Sequence, residues 1–321
     1  MVDKTLSIVI GTYNRLGLLR QCLDALIGKI KVTHEIIVID AGSTDGTLDY
    51  LRQLQTIRLL CDEDLIGQAQ SLNRVFKKLE STFVCWLSDD NIVQEGMLDL
   101  AVSILEQEPE IGLVSLKVKD IRGSHIDMPY IGGIWPSGVL NCNQGMISTK
   151  LLLALGGFDE DFRDYGIDGD LTTKVLLAGY KVVLTKQVAI HHLRDHETIS
   201  WTDENDRKQR LNAARTLYQR KYEKLIYSRC GRQYNKDRLN DSLLMRGVIS
   251  LYRFARRRGI QLDQWIGLWE RDWQNFIVGR FISPVDFLLN KNKHYYMVQR
   301  IPRALRKQLD TVYPRSDAEK N

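Results

Sequence analysis

Short apolar runs alternate with longer amphipathic segments over the first 199 residues of the chain. The apolar runs begin near Leu6, Glu35, Thr56 and Phe83, and their length and β-branched or bulky residues are typical of buried strands. Between them, segments such as Ile66 to Leu79 place apolar residues on one helix face. This alternation, without internal repeats, predicts an α/β fold with a mostly parallel sheet and helices on both faces.

Two adjacent carboxylates follow the fourth predicted strand. The strand Phe83 to Leu87 is apolar and aromatic, and Ser88-Asp89-Asp90-Asn91 is predicted to form the loop at its carboxyl end, where open α/β sheets bind ligands. Neighbouring carboxylates repel each other unless a proton or cation separates them, and Mg²⁺ combines one or two carboxylates with substrate phosphates. The loop therefore predicts either a metal–diphosphate site or a solvated turn that caps a helix starting near Gln94.

Polar residues also follow the first two predicted strands. Asp40 ends the second strand, where a carboxylate can accept hydrogen bonds from a ribose hydroxyl or a base, and Tyr13 offers a ring for base stacking. The structural alternatives are a helix N-cap for Asp40 and a half-buried loop aromatic for Tyr13. Neither a G-x-G-x-x-G fingerprint nor a P-loop pattern is present, which disfavours a dinucleotide-binding protein or a P-loop NTPase.

Further along the chain, two carboxylates precede a predicted helix that runs from Leu171 to Ala178. Asp170 is placed as its N-cap, whereas Asp168 is free to act as a general base towards a hydroxyl. The pair His191-His192 ends a predicted strand, where an imidazole can complete a metal coordination shell. An isolated histidine pair is more often structural, so this signal is weak by itself.

Five short motifs, taken together, resemble the inverting family 2 glycosyltransferases, which have the GT-A fold, a Rossmann-like α/β fold that binds nucleotide sugars. They occur in the order found in that family and cover residues 5 to 195. The motifs are Ser7 to Arg15, Val38 to Thr47, Trp86 to Asp90, Leu155 to Phe162 and Asp168 to Leu171.

The resemblance implies a nucleotide-sugar donor, expected to be a UDP-sugar, an Mg²⁺ or Mn²⁺ cofactor, and a hydroxyl acceptor on a glycan or a lipid-linked molecule. It implies roles for ten residues: Thr12, Tyr13, Asn14, Asp40, Ser88 and Asp89 in nucleotide binding, Asp90 with His191 or His192 at the metal, and Asp168 as the catalytic base. The implied reaction is inverting sugar transfer in polysaccharide or cell-envelope glycan synthesis, with no covalent nucleophile.

Three positions depart from the family pattern. Gly11 stands where a proline is common, Ser88 takes the first acidic place of the D-x-D motif, and Ile167 takes an often acidic place beside the base. The departure at Ser88 leaves open how many metal ions bind, and the departure at Ile167 leaves open whether the base is paired with a second acidic residue. The donor sugar and the acceptor depend on the irregular segment 120–140, a loop long enough to be functional, and on the residues after 199.

Composition is that of an ordinary globular protein, with 44% hydrophobic and 26% charged residues among 321. No apolar stretch is long enough to predict a membrane-spanning helix, and no signal peptide is predicted at the N-terminus. The five cysteines are scattered, without the spacing of a zinc site. These features favour a reducing cytoplasmic location.

Charge divides the chain into two regions. Residues 1–199 hold 19 basic and 27 acidic residues, a net charge of −8, whereas residues 200–321 hold 26 and 13, a net charge of +13. We therefore predict a catalytic domain over 1–199 and a basic helical region over 200–321. The basic region is expected either to pack on the catalytic domain or on a second copy of the chain, or to dock on an anionic membrane at its inner face. Nucleic acid is a disfavoured partner because no recognised binding motif accompanies the charge.

Two other functions remain open from the residues. A nucleotidyltransferase acting on sugar phosphates can use a similar sheet and acidic metal site, but it normally carries a Gly- and Lys-rich phosphate loop, and Gly11 to Arg15 is not one. A non-catalytic protein that binds nucleotide sugars or serves as an assembly partner would keep the same nucleotide-binding residues. Nucleotide binding and its dependence on Asp90 distinguish these alternatives.

Overall fold

The computed structural model describes residues 4–62, 66–122, 139–193, 204–226, 251, 254, 258, 293–299 and 309–313. Most of the predicted irregular segment 120–140 lies outside these ranges, as does most of the basic region after residue 226. Within these ranges, none of the helices combines the length and the hydrophobicity needed to span a bilayer.

The described chain forms eleven strands, eight α-helices and one short 3₁₀ helix. The strands are β1 (Leu6–Thr12), β2 (His34–Asp40), β3 (Ile57–Cys61), β4 (Phe83–Ser88), β5 (Asn91–Val93), β6 (Ile111–Ser115), β7 (Val118–Asp120), β8 (Gly145–Ser148), β9 (Lys181–Thr185), β10 (Ile190–His192) and β11 (Tyr295–Gln299). The helices are α1 (Leu16–Asp24), α2 (Thr47–Gln53), α3 (Gln68–Phe76), α4 (Met97–Gln107), α5 (Thr149–Ala154), the 3₁₀ helix (Glu160–Phe162), α6 (Ile167–Leu177), α7 (Glu204–Lys221) and α8 (Glu223–Ile226).

Eight strands form one sheet in the order β11-β9-β6-β8-β4-β1-β2-β3. The pairs β1–β2, β1–β4, β2–β3 and β6–β9 are parallel, while β8 and β11 run antiparallel to their neighbours. Both faces are covered, and β1 shows why. Ile8 and Ile10 pack with the helices α1 and α4, whereas Val9 points to the other face and packs with α3, α5 and α6. The predicted mostly parallel α/β architecture is confirmed.

A second sheet of three strands, in the order β5-β10-β7, lies beside the first. The sequence pattern predicted single strands over 111–118 and 180–190, but each divides into two short strands that belong to different sheets. The division occurs near Lys117, whose backbone N–H donates to the Thr185 hydroxyl. In the small sheet His192 is in register with both Asp120 and Asn91, which brings three distant polar residues together.

Two predicted helix starts are wrong. The helix expected near Gln94 begins at Met97, because residues 91–93 form β5 instead. The helix expected at Leu171 begins at Ile167, with Gly166 as its N-cap, because Ile167 and Leu171 are both buried one turn apart on the core face. Asp168 therefore lies in the first turn of α6.

Asp170 is not the predicted N-cap but a fully buried side chain that joins α6 to the C-terminal region. It accepts hydrogen bonds from Lys221 Nζ at 2.5 Å and from the Tyr222 hydroxyl at 2.7 Å, and it is paired with Lys174 at 3.0 Å. Near it, the hydroxyls of Thr173 and Tyr218 lie 2.6 Å apart. The helix α7 thus packs on the α/β domain through polar as well as apolar contacts.

The region after residue 199 was predicted to be helical, yet it also contributes a strand. The strand β11 pairs antiparallel with β9 at the edge of the large sheet. Tyr295 is buried there, and its hydroxyl donates to Glu108 at 2.6 Å. The strand Tyr295–Gln299 contains two tyrosines and a valine, residue types that are common in strands. Its strand partner is more than 100 residues away in the sequence and is not visible in a local pattern.

The glycine pair that ends α5 supplies a test of this packing. Gly156 and Gly157 both have positive φ angles, +78° and +69°. A Cβ at Gly156 would meet nothing, whereas one at Gly157 would overlap the side chain of Asn73, which bonds both the N–H and the carbonyl of Phe158.

We therefore expect Gly157→Ala to lower the free energy of unfolding by about 3 kcal/mol and the matched Gly156→Ala, which carries only the backbone strain, by about 1 kcal/mol. Urea denaturation of the two variants measures the difference. Equal losses would show that the Asn73 side chain can move aside without any further loss of unfolding free energy.

Candidate active site

The parallel register of β1, β2 and β4 brings the ends of these three strands to one edge of the sheet. Thr12 is aligned with Asp40, and Gly11 with Ser88. Because parallel strands end at the same edge, the loops that follow them meet there. The Thr12 hydroxyl donates to Asp89 Oδ2 at 2.8 Å. This bond joins the end of β1 to Asp89 and Asp90, the two residues between β4 and β5 that form the acidic loop.

Asp40 has one occupied and one open carboxylate oxygen. Its Oδ1 accepts the backbone N–H groups of Gly42 and Ser43 at 3.1 and 2.9 Å. Its Oδ2 is buried and has no hydrogen-bond partner among the described residues. A buried acceptor without a partner is costly, so this oxygen suits a donor group of a ligand. The predicted N-cap role is not seen, since the N-cap of α2 is Gly46.

Asn14 joins the first two loops to each other. Its backbone N–H donates to the Ser43 hydroxyl at 2.8 Å, and its side-chain carbonyl accepts the Thr44 N–H at 2.7 Å. It adopts a positive φ of 51°, a conformation that asparagine tolerates better than most residues. The neighbouring Tyr13 is partly buried. A role for either residue in nucleotide binding stays a prediction, and Asn14 has a structural role in addition.

Asp89 and Asp90 are both buried, and Arg15 bridges them. Arg15 Nη1 lies 2.6 Å from Asp89 Oδ1, and Nη2 lies 2.8 Å from Asp90 Oδ2. This guanidinium supplies the positive charge that two adjacent carboxylates need. Arg15 has no role predicted from the sequence, although its position one residue after Asn14 places it at the correct sheet edge.

His192 approaches the same acidic loop from the small sheet. Its Nε2 lies 3.1 Å from Asp90 Oδ2, and its Nδ1 lies 2.5 Å from Asp120 Oδ1. His191 precedes it on β10, and successive residues of a strand point to opposite faces. Of the predicted pair, His192 is therefore the residue at Asp90. Asp120 was not predicted, because nothing in its local sequence shows that β7 pairs with β10.

Ser88 takes part through its backbone and its hydroxyl. Its N–H donates to Asn91 Oδ1 at 3.0 Å, and its hydroxyl accepts from Gln144 Nε2 at 3.3 Å. The first place of the acidic motif is thus occupied by a neutral hydrogen-bonded pair. Neither Asp89 nor Asp90 caps a helix, so the solvated-turn alternative for this loop is wrong.

The donor set at Asp90 fits a divalent cation. Asp90 Oδ2 and His192 Nε2 face each other, and Asp120 supports the far nitrogen of His192 in the way that carboxylates support metal-bound histidines. Within the described ranges, no group of three or more His, Cys, Asp or Glu side chains is arranged to hold a metal ion by itself. The remaining ligands would have to come from phosphate oxygens and water, as is usual for Mg²⁺.

Within this cluster the pKa values of Asp89 and His192 are raised, whereas the pKa of Asp90 is lowered. Burial raises the pKa of Asp89 to about 7 against the opposing charge of Arg15. Burial would also raise the pKa of Asp90, but its hydrogen bond with His192 and the nearby Arg15 charge lower it to about 2. Burial disfavours the charged form of His192, yet its bonds to Asp120 and Asp90 raise its pKa to about 9. Asp90 is thus ionised at neutral pH and His192 is protonated.

Asp168 lies beside Trp86 of β4. Burial raises the pKa of Asp168 well above its ordinary value, although contact with the Trp86 indole acts in the opposite direction. The indole N–H also donates to the Asn143 carbonyl at 3.0 Å. A carboxylate with a raised pKa is a stronger proton acceptor when it is ionised, so this environment suits the predicted base. The assignment itself stays a prediction.

Sequence comparisons identify relatives of the chain. Residues 7–138 match the family model described as Glycosyl transferase family 2. Glycosyltransferase GlyA of Streptococcus pneumoniae is 26% identical over 217 residues, which are 60% of this chain and 31% of that protein. The poly(ribitol-phosphate) beta-glucosyltransferase of Bacillus spizizenii is 32% identical over 126 residues, which are 37% of this chain and 20% of that protein. The chain therefore spans less than a third of the length of either relative.

Two solved structures share the fold. The mannosyltransferase PcManGT of Pyrobaculum calidifontis, determined with GDP-Man and Mn²⁺, has a TM-score of 0.55 at 20% identity and covers 91% of this chain and 89% of its own. Staphylococcus aureus TarS has a TM-score of 0.50 at 18% identity and covers 70% of this chain and 44% of its own. At such identities the likeness concerns the fold alone. Together the comparisons confirm the predicted GT-A fold and the predicted family resemblance.

The pKa of His192 makes a pH-dependent contribution to stability. Its folded-state pKa, about 9, lies above its ordinary value of 6.5. Protonation therefore favours the folded state, and this contribution is fully present below pH 6.5 and is lost as the pH rises through about 9.

We expect His192→Gln to cost about 1–3 kcal/mol of unfolding free energy at pH 6 and progressively less towards pH 9.5. The measurement is urea denaturation in EDTA across this range, with His191→Gln, the neighbour on the opposite strand face, as control. A difference between wild type and His192→Gln that does not change with pH would contradict the assigned coupling to Asp90 and Asp120.

Proposed function

We propose that this chain, whose residues 7–138 match the glycosyl transferase family 2 model, transfers a sugar from a nucleotide-sugar donor to a hydroxyl of a glycan or lipid-linked acceptor, with inversion at the anomeric carbon. The observation that carries the proposal is the meeting of an open carboxylate oxygen on Asp40 with the Asp90–His192 pair at one edge of the sheet. The first suits a nucleoside and the second suits the cation and diphosphate of the same donor.

The nucleoside would bind at the loops after β1 and β2. Asp40 Oδ2 is buried and open to a hydrogen-bond donor, which a ribose hydroxyl or the N–H of a uracil or guanine base can supply. Tyr13 and Thr12 lie on the neighbouring loop, where an aromatic ring can stack on the base. The donor class is expected to be a UDP-sugar. A GDP-sugar is the alternative that the Asp40 geometry also accepts.

The residues that would hold Mg²⁺ or Mn²⁺ are Asp90 and His192. A bound divalent cation supplies charge neutralisation for the diphosphate leaving group, worth several kcal/mol in such sites. His192 is held in place by Asp120, and it must lose its proton before Nε2 can bind a cation. Asp89 keeps its contacts with Thr12 and Arg15 and supports the loop rather than the cation.

Asp168 would act as the base. The acceptor oxygen forms a bond to the anomeric carbon while the bond from that carbon to the diphosphate oxygen breaks, and the acceptor proton passes to Asp168. Such base catalysis is typically worth about 10²–10⁴-fold in rate. A single direct displacement inverts the anomeric configuration and leaves no covalent intermediate on the protein.

A test of nucleotide binding uses Asp40→Asn. Asparagine can keep the carbonyl oxygen that accepts the Gly42 and Ser43 N–H groups, but it replaces the open acceptor by an N–H₂ donor. We expect at least about a tenfold loss of affinity for UDP or GDP, measured by isothermal titration with Mn²⁺ present. The matched control is Asp49→Asn on the exposed face of α2. An unchanged affinity would remove Asp40 from the binding site.

A test of catalysis uses Asp168→Asn with a panel of UDP- and GDP-sugars. We expect donor hydrolysis or transfer to fall by about 10²–10⁴-fold while nucleotide affinity is unchanged. The anomeric configuration of the product, read by NMR, reports the stereochemistry. Full activity in Asp168→Asn would refute the assignment of Asp168 as the base. A product with the anomeric configuration of the donor would refute the inverting mechanism. Nucleotide binding without any turnover would instead favour the non-catalytic alternative, and diphosphate release from a nucleoside triphosphate and a sugar phosphate would favour the nucleotidyltransferase.

The basic region after residue 199 is proposed to bring the enzyme to an anionic membrane surface in the cytoplasm, close to a lipid-linked acceptor. Its net charge of +13 supports this. The buried Tyr218 in α7 and the buried Tyr222 directly after it show that this part of the region is used in packing. Sedimentation with phosphatidylserine vesicles at low salt should deplete the protein from solution, and phosphatidylcholine vesicles should not. Equal behaviour with both would favour packing alone, on the catalytic domain or on a second copy.

A further inference from the structure

Arg15 is the cation that the structure places on the acidic loop. It lies between β1 and α1, at the N-cap position of α1, where its side chain makes no capping hydrogen bond. Its two terminal nitrogens instead contact different carboxylates, Asp89 at 2.6 Å and Asp90 at 2.8 Å. The side chain is 18% exposed, whereas the Asp89 and Asp90 side chains are 3% and 8% exposed. The guanidinium is therefore partly accessible and its acidic partners are not.

One oxygen of Asp90 serves both Arg15 and His192. Arg15 Nη2 lies 2.8 Å and His192 Nε2 lies 3.1 Å from the same atom, Oδ2. A divalent cation held by Asp90 and His192 would use this oxygen and would repel a guanidinium at the same distance. The contact of Nη1 with Asp89 Oδ1 involves a different carboxylate and does not conflict with the cation.

We propose that the two terminal nitrogens of Arg15 have different roles. Nη1 stays on Asp89, whereas a divalent cation displaces Nη2 from Asp90, and Nη2 then turns towards the donor diphosphate. The second half of this inference depends on the proposed function, whereas the competition with the cation does not. Guanidinium groups bind phosphate oxygens with two parallel hydrogen bonds and remain charged at all relevant pH values. Arg15 thereby becomes a binding residue for the leaving group.

The contacts of the cluster support this exchange. Three buried carboxylates, those of Asp89, Asp90 and Asp120, share two basic side chains, Arg15 and His192. A divalent cation on Asp90 would replace the contact of Arg15 Nη2 with that carboxylate. The released nitrogen would then need another acidic partner, which a diphosphate can supply.

The first test measures Mn²⁺ affinity without nucleotide. We expect Arg15→Met to bind Mn²⁺ about tenfold more tightly than wild type, by isothermal titration or by the EPR signal of free Mn²⁺. It should also show a larger rise in melting temperature on Mn²⁺ addition, because the two buried carboxylates of Asp89 and Asp90 have lost the guanidinium that compensates their charge. The matched control is Arg20→Met, five residues further along the chain in α1, whose guanidinium lies over the Tyr50 ring. Unchanged or weaker Mn²⁺ binding in Arg15→Met, or no binding by wild type, would overturn the competition.

The second test compares uridine, UMP and UDP, and the guanosine series in parallel, each in saturating Mn²⁺. We expect Arg15→Met to lose about tenfold in affinity for the diphosphate and to keep its affinity for the nucleoside. Arg15→Lys, which retains the charge but not the paired geometry, should be intermediate and also covers a failure of Arg15→Met to fold. An equal loss for nucleoside and diphosphate would show that Arg15 only shapes the loop. If wild type binds no nucleotide, the proposed function fails, while the Mn²⁺ titration still decides the competition.

Discussion

Asp89 and Asp90 lie next to each other in the sequence and are almost completely withdrawn from water, an arrangement that is unstable unless positive charge compensates it. Arg15 and His192 supply that charge from two different elements. The loops around the acidic pair are therefore fixed by electrostatics as much as by packing. A cation or a phosphate that enters this site exchanges one set of ion pairs for another.

The topology explains how so many charged groups meet. Parallel pairing of β1 with β2 and β4 aligns three strand ends, and this accounts for Thr12, Asp40 and Asp89. The small sheet β5-β10-β7 then presents His192 and Asp120 from the other side. The candidate site thus lies between two sheets, with Thr12, Asp40 and Asp89 at the edge of the large sheet and His192 and Asp120 on the small one.

Much of this site could be predicted from the sequence because it follows a local rule. An apolar run followed by a carboxylate marks the end of a buried strand, and the rule placed Asp40 and Asp90 correctly at one sheet edge. Asp120 could not be found in this way, because its partner His192 is 72 residues away and the short strands that pair them carry no periodic signal. The early start of α6 was missed since Asp170 resembles a capping residue in sequence, whereas in the fold it is buried.

The bond between Asp170 and Lys221 has a consequence for how the chain can be divided. The negative and positive halves of the sequence partly neutralise each other where α6 meets α7, because Lys221 and Tyr222 both contact the buried side chain of Asp170. A chain cut at residue 199 would lose both partners and leave the carboxylate with Lys174 alone. The charge asymmetry that marks a boundary in the sequence therefore holds the two regions together in the structure. The α/β domain and its basic extension are expected to unfold as one cooperative unit.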